Sequence, residues 1–151
     1  MAPSPYGASL ADPQAQIRPM DQKHILVVDD DPHILALIRT ILTQGNYRVT
    51  TAGDGQRALD SLRGTRVDAV ITDALMPGLD GPALTEKIKS DPNLKDLPVI
   101  MITASSQPGM VRKSFSSGCM LFLPKPFTGA SLISILQLAL GQEGGPKGEP
   151  G

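Results

Sequence analysis

The sequence predicts an α/β domain, a doubly wound parallel sheet with helices on both faces. Three observations carry that prediction. Five short aliphatic runs have the length and composition of buried strands. Each is followed by a segment whose apolar residues recur at helical spacing. Turn and capping residues separate the two kinds of segment. A strand followed by a helix, five times over, implies right-handed crossovers and hence parallel strands.

The first strand is "HILVV", residues 24–28. Asp31 before Pro32 provides an N-cap and a proline at the first helical position. Ile34, Leu35, Ile38, Ile41 and Leu42 give that helix its apolar stripe, and Gly45 with Asn46 closes it. "RVTTA" (48–52) is the second strand, leading to a helix marked by Ala58, Leu59 and Leu62. The third strand, "VDAVIT" (67–72), precedes a turn shaped by Pro77 and Gly78. Asp80 caps the next helix, which Gly81 and Pro82 begin, Leu84 and Ile88 stripe, and Asp91-Pro92 ends. "LPVIMIT" (97–103) is the fourth strand; its helix carries Met110, Val111 and Phe115 and ends at Gly118. "CMLFL" (119–123) is the fifth, and Leu132, Ile133, Ile135, Leu136 and Leu140 line the last helix.

A chain of 151 residues accommodates one ordinary domain. Residues 1–22, with four prolines and no apolar period, read as a flexible leader, and the Gly/Pro-rich residues 142–151 as a flexible tail. All the periodic signal falls within residues 23–141, which read as the one folded domain. Fourteen Lys plus Arg against fifteen Asp plus Glu leave no general attraction to nucleic acid or anionic membrane. No apolar run is long enough to span a bilayer, and no secretory signal begins the chain. The single cysteine, Cys119, reads as a buried structural thiol in a reducing, cytoplasmic setting.

The chemistry lies where the strands end. In an open parallel sheet, ligands bind beyond the carboxyl ends of the strands, at the crevice where the winding reverses. Asp29 and Asp30 follow the first strand, Asp73 the third, Thr103 the fourth, and Lys125, within "FLPKPF", the fifth. Three close carboxylates repel one another unless a cation joins them. Mg2+ suits the position, because it prefers oxygen ligands and takes one or two carboxylates together with phosphate oxygens. A carboxylate beside such a metal can accept a phosphoryl group as an aspartyl phosphate. Lys125 would supply positive charge and Thr103 a hydrogen bond to a phosphoryl oxygen. Prolines on both sides of Lys125 restrict its backbone, with the cis or trans state of Lys125-Pro126 left open.

In these residues the chain resembles the receiver domain of two-component response regulators, in particular the stand-alone, chemotaxis-regulator-like kind. The resemblance spans about residues 23–141 and rests on "ILVVDDDP", "VITDALMPGLDG", "VIMITA" and "FLPKPF", in order and at matching spacing. It implies the flavodoxin-like strand order 2-1-3-4-5. Asp73 is then the phosphoacceptor, with Asp29, Asp30, Asp73 and the Leu75 backbone carbonyl as the Mg2+ ligands. Thr103 is the switch hydroxyl, Lys125 the phosphoryl-contacting lysine, and Phe122 the switch aromatic. Phe122 lacks the hydroxyl of a tyrosine. Met120 and Leu121 bring apolar bulk where many receivers carry small or polar residues, and Leu75 and Ser105 occupy positions that tune dephosphorylation. The implied donor is a histidine kinase or phosphotransfer protein. The implied target is a protein bound at the face of the fourth helix, fifth strand and fifth helix, with no direct nucleic-acid contact and no membrane insertion.

Bland roles are assigned elsewhere. His33 and His24 read as solvated, and the methionines, including Met76 and Met101, as core filler. A phosphatase using a nucleophile in "DDDPH" requires a cap insertion that this sequence lacks. An unphosphorylated receiver-like scaffold should have lost Asp73, Thr103 or Lys125, and all three are present. A fragment of a larger regulator or hybrid kinase is the remaining alternative to stand-alone action.

Overall fold

The computed structural model describes residues 22–104 and 107–141. The expected leader, apart from Gln22, and the whole expected tail lie outside the described residues, as does Ser105. Ten elements alternate along the chain: β1 His24–Val28, α1 Pro32–Gln44, β2 Arg48–Ala52, α2 Gly55–Gly64, β3 Ala69–Asp73, α3 Gly81–Ser90, β4 Val99–Thr103, α4 Pro108–Ser116, β5 Leu121–Pro124 and α5 Gly129–Ala139. The strands are parallel and ordered β2-β1-β3-β4-β5.

Successive side chains on the three central strands enter different cores, as a two-residue period requires. Ile25, Val27, Ile71, Ile100 and Ile102 meet Ile38 and Leu42 of α1 and Leu132 and Leu136 of α5. Leu26, Val28, Val70, Val99 and Met101 meet α2 and α3 through Ala58, Leu59, Leu62, Leu84 and Ile88. Each fully buried aliphatic side chain contributes about 1.5–3 kcal/mol of transfer free energy. Burial on both faces explains why these runs lack a polar alternation.

Caps set the helix starts. Asp31 accepts the His33 N–H at 2.8 Å, Asp54 the Arg57 N–H at 2.8 Å and Asp80 the Ala83 N–H at 2.9 Å. Thr128 and Ser131 form a capping box on α5. At the end of α1 it is Asn46, at φ 73°, that takes the left-handed conformation, while Gly45 does not.

Three expectations need correction. Strands β3, β4 and β5 each begin two residues later than the apolar runs. Val67 is buried without pairing, Pro98 has no N–H to give the ladder, and Met120 pairs only through its N–H to the Val99 carbonyl. His24 is buried, not solvated, and its Nε2 lies 2.7 Å from the Thr50 hydroxyl. In α4 the buried residue is Ser114, whose hydroxyl donates to the Met110 carbonyl, whereas Phe115 is exposed.

Candidate functional site

Strand register brings the sequence-predicted residues together. Val28 pairs with Thr72, which sets Asp29 level with Asp73, the last residue of β3. Asp73 pairs with Ile102, and Thr103 pairs with Pro124, so Lys125 follows directly beyond the edge strand. All four residues thus share the carboxyl end of the sheet.

Hydrogen bonds fix the backbone around Asp29 and Asp73. The Asp29 N–H donates to the Ala52 carbonyl at 3.2 Å, while the Asp31 N–H donates to Asp29 Oδ1 at 2.9 Å. Asp31, which the sequence marked only as a cap, therefore also orients its neighbour. The Thr72 hydroxyl donates to the Asp73 carbonyl at 2.9 Å, and the Ala74 N–H to the Ile102 carbonyl at 2.9 Å. No sequence signal pointed to Thr72. Asp29 and Asp73 are buried, and Asp30 faces solvent.

Oxygens of Asp29, Asp30 and Asp73 lie within 4.8 Å of one another. Lys125 Nζ stands 3.3 Å from Asp29 Oδ2 and 3.6 Å from Asp73 Oδ1. One ammonium against three carboxylates leaves excess negative charge. Burial holds the Asp73 carboxyl above its ordinary range, helped by the Asp29 charge and opposed by Lys125 and the Ala74 N–H. An all-oxygen donor set with surplus negative charge fits a hard divalent cation.

The neighbouring residues complete the picture. Thr103 is buried at the end of β4, and its carbonyl accepts the Lys125 N–H at 2.9 Å. The Lys125-Pro126 peptide bond is cis. Leu75, two residues beyond Asp73, is exposed. Phe122 is half-buried, its ring centroid 6.3 Å from that of Phe115 at an interplanar angle of 41°. Leu121 packs in the α1/α5 core, whereas Met120 is exposed. His33 is exposed, as expected, 3.4 Å from Asp31.

A family model for the response regulator receiver domain matches residues 25–137. The chain belongs to that family. Among relatives of this receiver domain, the two-component response regulator ARR17 of Arabidopsis thaliana is 36% identical over 118 residues, 70% of this chain and 77% of that protein. Response regulator PleD of Caulobacter vibrioides is 37% identical over 110 residues, 73% of this chain but 24% of its own length. The receiver domain of the sensor histidine kinase PA1611 from Pseudomonas aeruginosa PAO1 superposes with a TM-score of 0.75 at 35% identity, covering 80% of this chain and 99% of that one. Its structure has a magnesium ion coordinated in the active site cleft. Chemotaxis protein CheY4 of Vibrio cholerae gives a TM-score of 0.76 at 29% identity, covering 79% and 99%.

Proposed function

We propose that this receiver domain, residues 23–141, is a phosphorylation-dependent signalling switch. Three carboxylates and one ammonium converging at the ends of β1, β3 and β5 carry the reading. Asp29, Asp30, Asp73 and the Leu75 carbonyl hold Mg2+, as the magnesium-bearing cleft of the PA1611 receiver supports. The metal, when bound, neutralises charge on the phosphoryl oxygens.

An Asp73 carboxylate oxygen attacks phosphorus in line with the donor. The bond from phosphorus to the donor breaks, its electron pair leaves with the donor, and a histidine donor's imidazole takes a proton from solvent. The donor is a histidine kinase or phosphotransfer protein. Lys125, already paired with Asp29 and Asp73, shifts to the new phosphoryl oxygens, and the Thr103 hydroxyl donates to another. Phe122 turns inward in response, altering the α4–β5–α5 face that a downstream protein binds. Hydrolysis by water returns the free carboxylate slowly. The domain is a phosphoacceptor rather than an enzyme acting on a separate substrate.

A cytoplasmic location accords with the buried Cys119 thiol and with the finding that no described helix is long and apolar enough to cross a membrane. Incubation with acetyl phosphate and Mg2+, followed by intact-mass measurement, tests the switch. One labile phosphoryl group is expected on the wild type and none on Asp73→Asn. Absence of any adduct from acetyl phosphate and from a phosphorylated transfer protein would sink the proposal.

A further inference from the structure

We propose that Gly55, at the start of α2 and outside the acidic cluster, is a positioning residue for the metal-holding loop between β3 and α3. The inference rests on the Mg2+ reading above. That loop, residues 74–80, contains Leu75 and is gripped at two places. At its neck, the Gly81 N–H donates to the Ala74 carbonyl at 3.0 Å. A Cβ on Gly81 would overlap the Asp73 carbonyl oxygen and stand 2.6 Å from Met101 Sδ and 2.8 Å from Ala74 Cα. Gly81 therefore seats α3 flush against the phosphoacceptor's own backbone.

At the far side of the loop the support comes from another helix. A Cβ on Gly55 would overlap the Leu79 carbonyl oxygen and stand 2.9 Å from Leu79 Cβ and 3.0 Å from its Cγ. Real Cβ atoms do not tolerate such approaches, so one of the two segments must move when a side chain is added. Gly55 is itself fixed, because Asp54 accepts the Arg57 N–H and anchors the first turn of α2. The loop is the softer partner: Pro77 and Gly78 are exposed, and with Asp30, Gly53, Asp54, Gln56 and Leu79 they border a cavity of about 460 Å³ that leaves this side of the loop without packed support. Asp30 belongs both to this cavity and to the acidic cluster. Displacing Leu79 thus moves the segment carrying the Leu75 carbonyl relative to the carboxylates. Asp73, on the strand, stays in place. Groups that orient metal ligands without touching the metal commonly change affinity by about 10–100-fold.

The test compares Gly55→Ala with Gly64→Ala, a change on the same helix where an added Cβ meets open space. Mg2+ affinity is read by titration calorimetry without a phosphodonor, since the chain has no tryptophan to report binding. Amide hydrogen exchange of residues 74–80 is read in metal-free protein. For Gly55→Ala we expect Mg2+ affinity to fall about tenfold and exchange of 74–80 to quicken, with acetyl phosphate modification at saturating Mg2+ within about twofold of wild type. Gly64→Ala should match the wild type in all three. Wild-type affinity and loop exchange in Gly55→Ala overturn the inference, as does a uniform loss of protection across the strands with no effect particular to the loop. Should Gly55→Ala not fold, Leu79→Ala decides: weaker Mg2+ binding with faster loop exchange supports the inference, and wild-type values overturn it. A wild-type chain that binds no Mg2+ overturns the site reading and this inference together.

Discussion

Helices α4 and α5 both pack against the edge strand β5, from opposite faces of the sheet, and they are held very differently. α5 buries Leu132, Leu136 and Ala139 and starts from the Thr128/Ser131 capping box. α4 buries Ser114 alone, begins at Pro108 without a side-chain cap bond from Gln107, and leaves Phe115 46% exposed against half-buried Phe122. The lesson is one of stiffness. Anything that disturbs Thr103 or Lys125 meets a locked neighbour on one side of β5 and a compliant one on the other, and local opening follows the side with fewer buried contacts.

The largest expected difference comes from truncating one apolar residue in each helix. Leu136→Ala should cost about 3 kcal/mol by urea unfolding. Phe115→Ala should cost less than about 1 kcal/mol, because its ring is half in solvent already. Equal losses would break the comparison.

A smaller effect comes from the site itself. Because the Asp73 carboxyl is held above its ordinary range, the folded protein keeps a proton that the unfolded chain has already lost. Stability attributable to Asp73 therefore falls as pH rises from the ordinary carboxylate range through its folded pKa, and the penalty is complete above that pKa. In metal-free protein, Asp73→Asn should raise Tm by a few degrees at pH 7, and the gain should vanish as pH falls below the ordinary carboxylate range. A gain that is independent of pH would show that charge is not its cause.

The smallest effect concerns Cys119, whose N–H donates to the Ser114 carbonyl at the end of α4. Burial pushes its thiol up to about 11, with the Lys89 ammonium opposing. A disulfide reagent at pH 8 should label the native protein slowly, yet faster than global unfolding allows, because α4 can open while α5 stays closed. Labelling that proceeds only at the global unfolding rate would put the two helices on an equal footing.

The same contrast explains what could be read from the sequence. α1 and α5 are legible because Ile and Leu recur where a helix faces a core, and the acids are legible because they fall at the ends of strands. α4 is only partly legible: Met110 packs against the core as its spacing predicts, but Phe115 is exposed and the buried position is Ser114, which satisfies its hydroxyl within its own helix and leaves no apolar signal. His24 was misread for a related reason: its partner Thr50 comes from β2, and only strand pairing brings the two together. Helix caps at Asp31 and Asp80 follow local rules and were found. Gly55 against Leu79 is a contact between the first residue of α2 and the β3–α3 loop, and nothing local in either stretch announces it.

Lys125 and Asp29 are separated by 96 residues, and their pairing closes the site. During synthesis the acids of β1 and β3 leave the ribosome well before their only observed cationic neighbour among the described residues. A chain stalled or cleaved before β5 keeps the repelling oxygens and lacks the ammonium that quiets them. It also lacks Leu123, Leu132 and Leu136 of the α1/α5 core, so the last segment to emerge supplies both the packing and the charge that the signalling site needs.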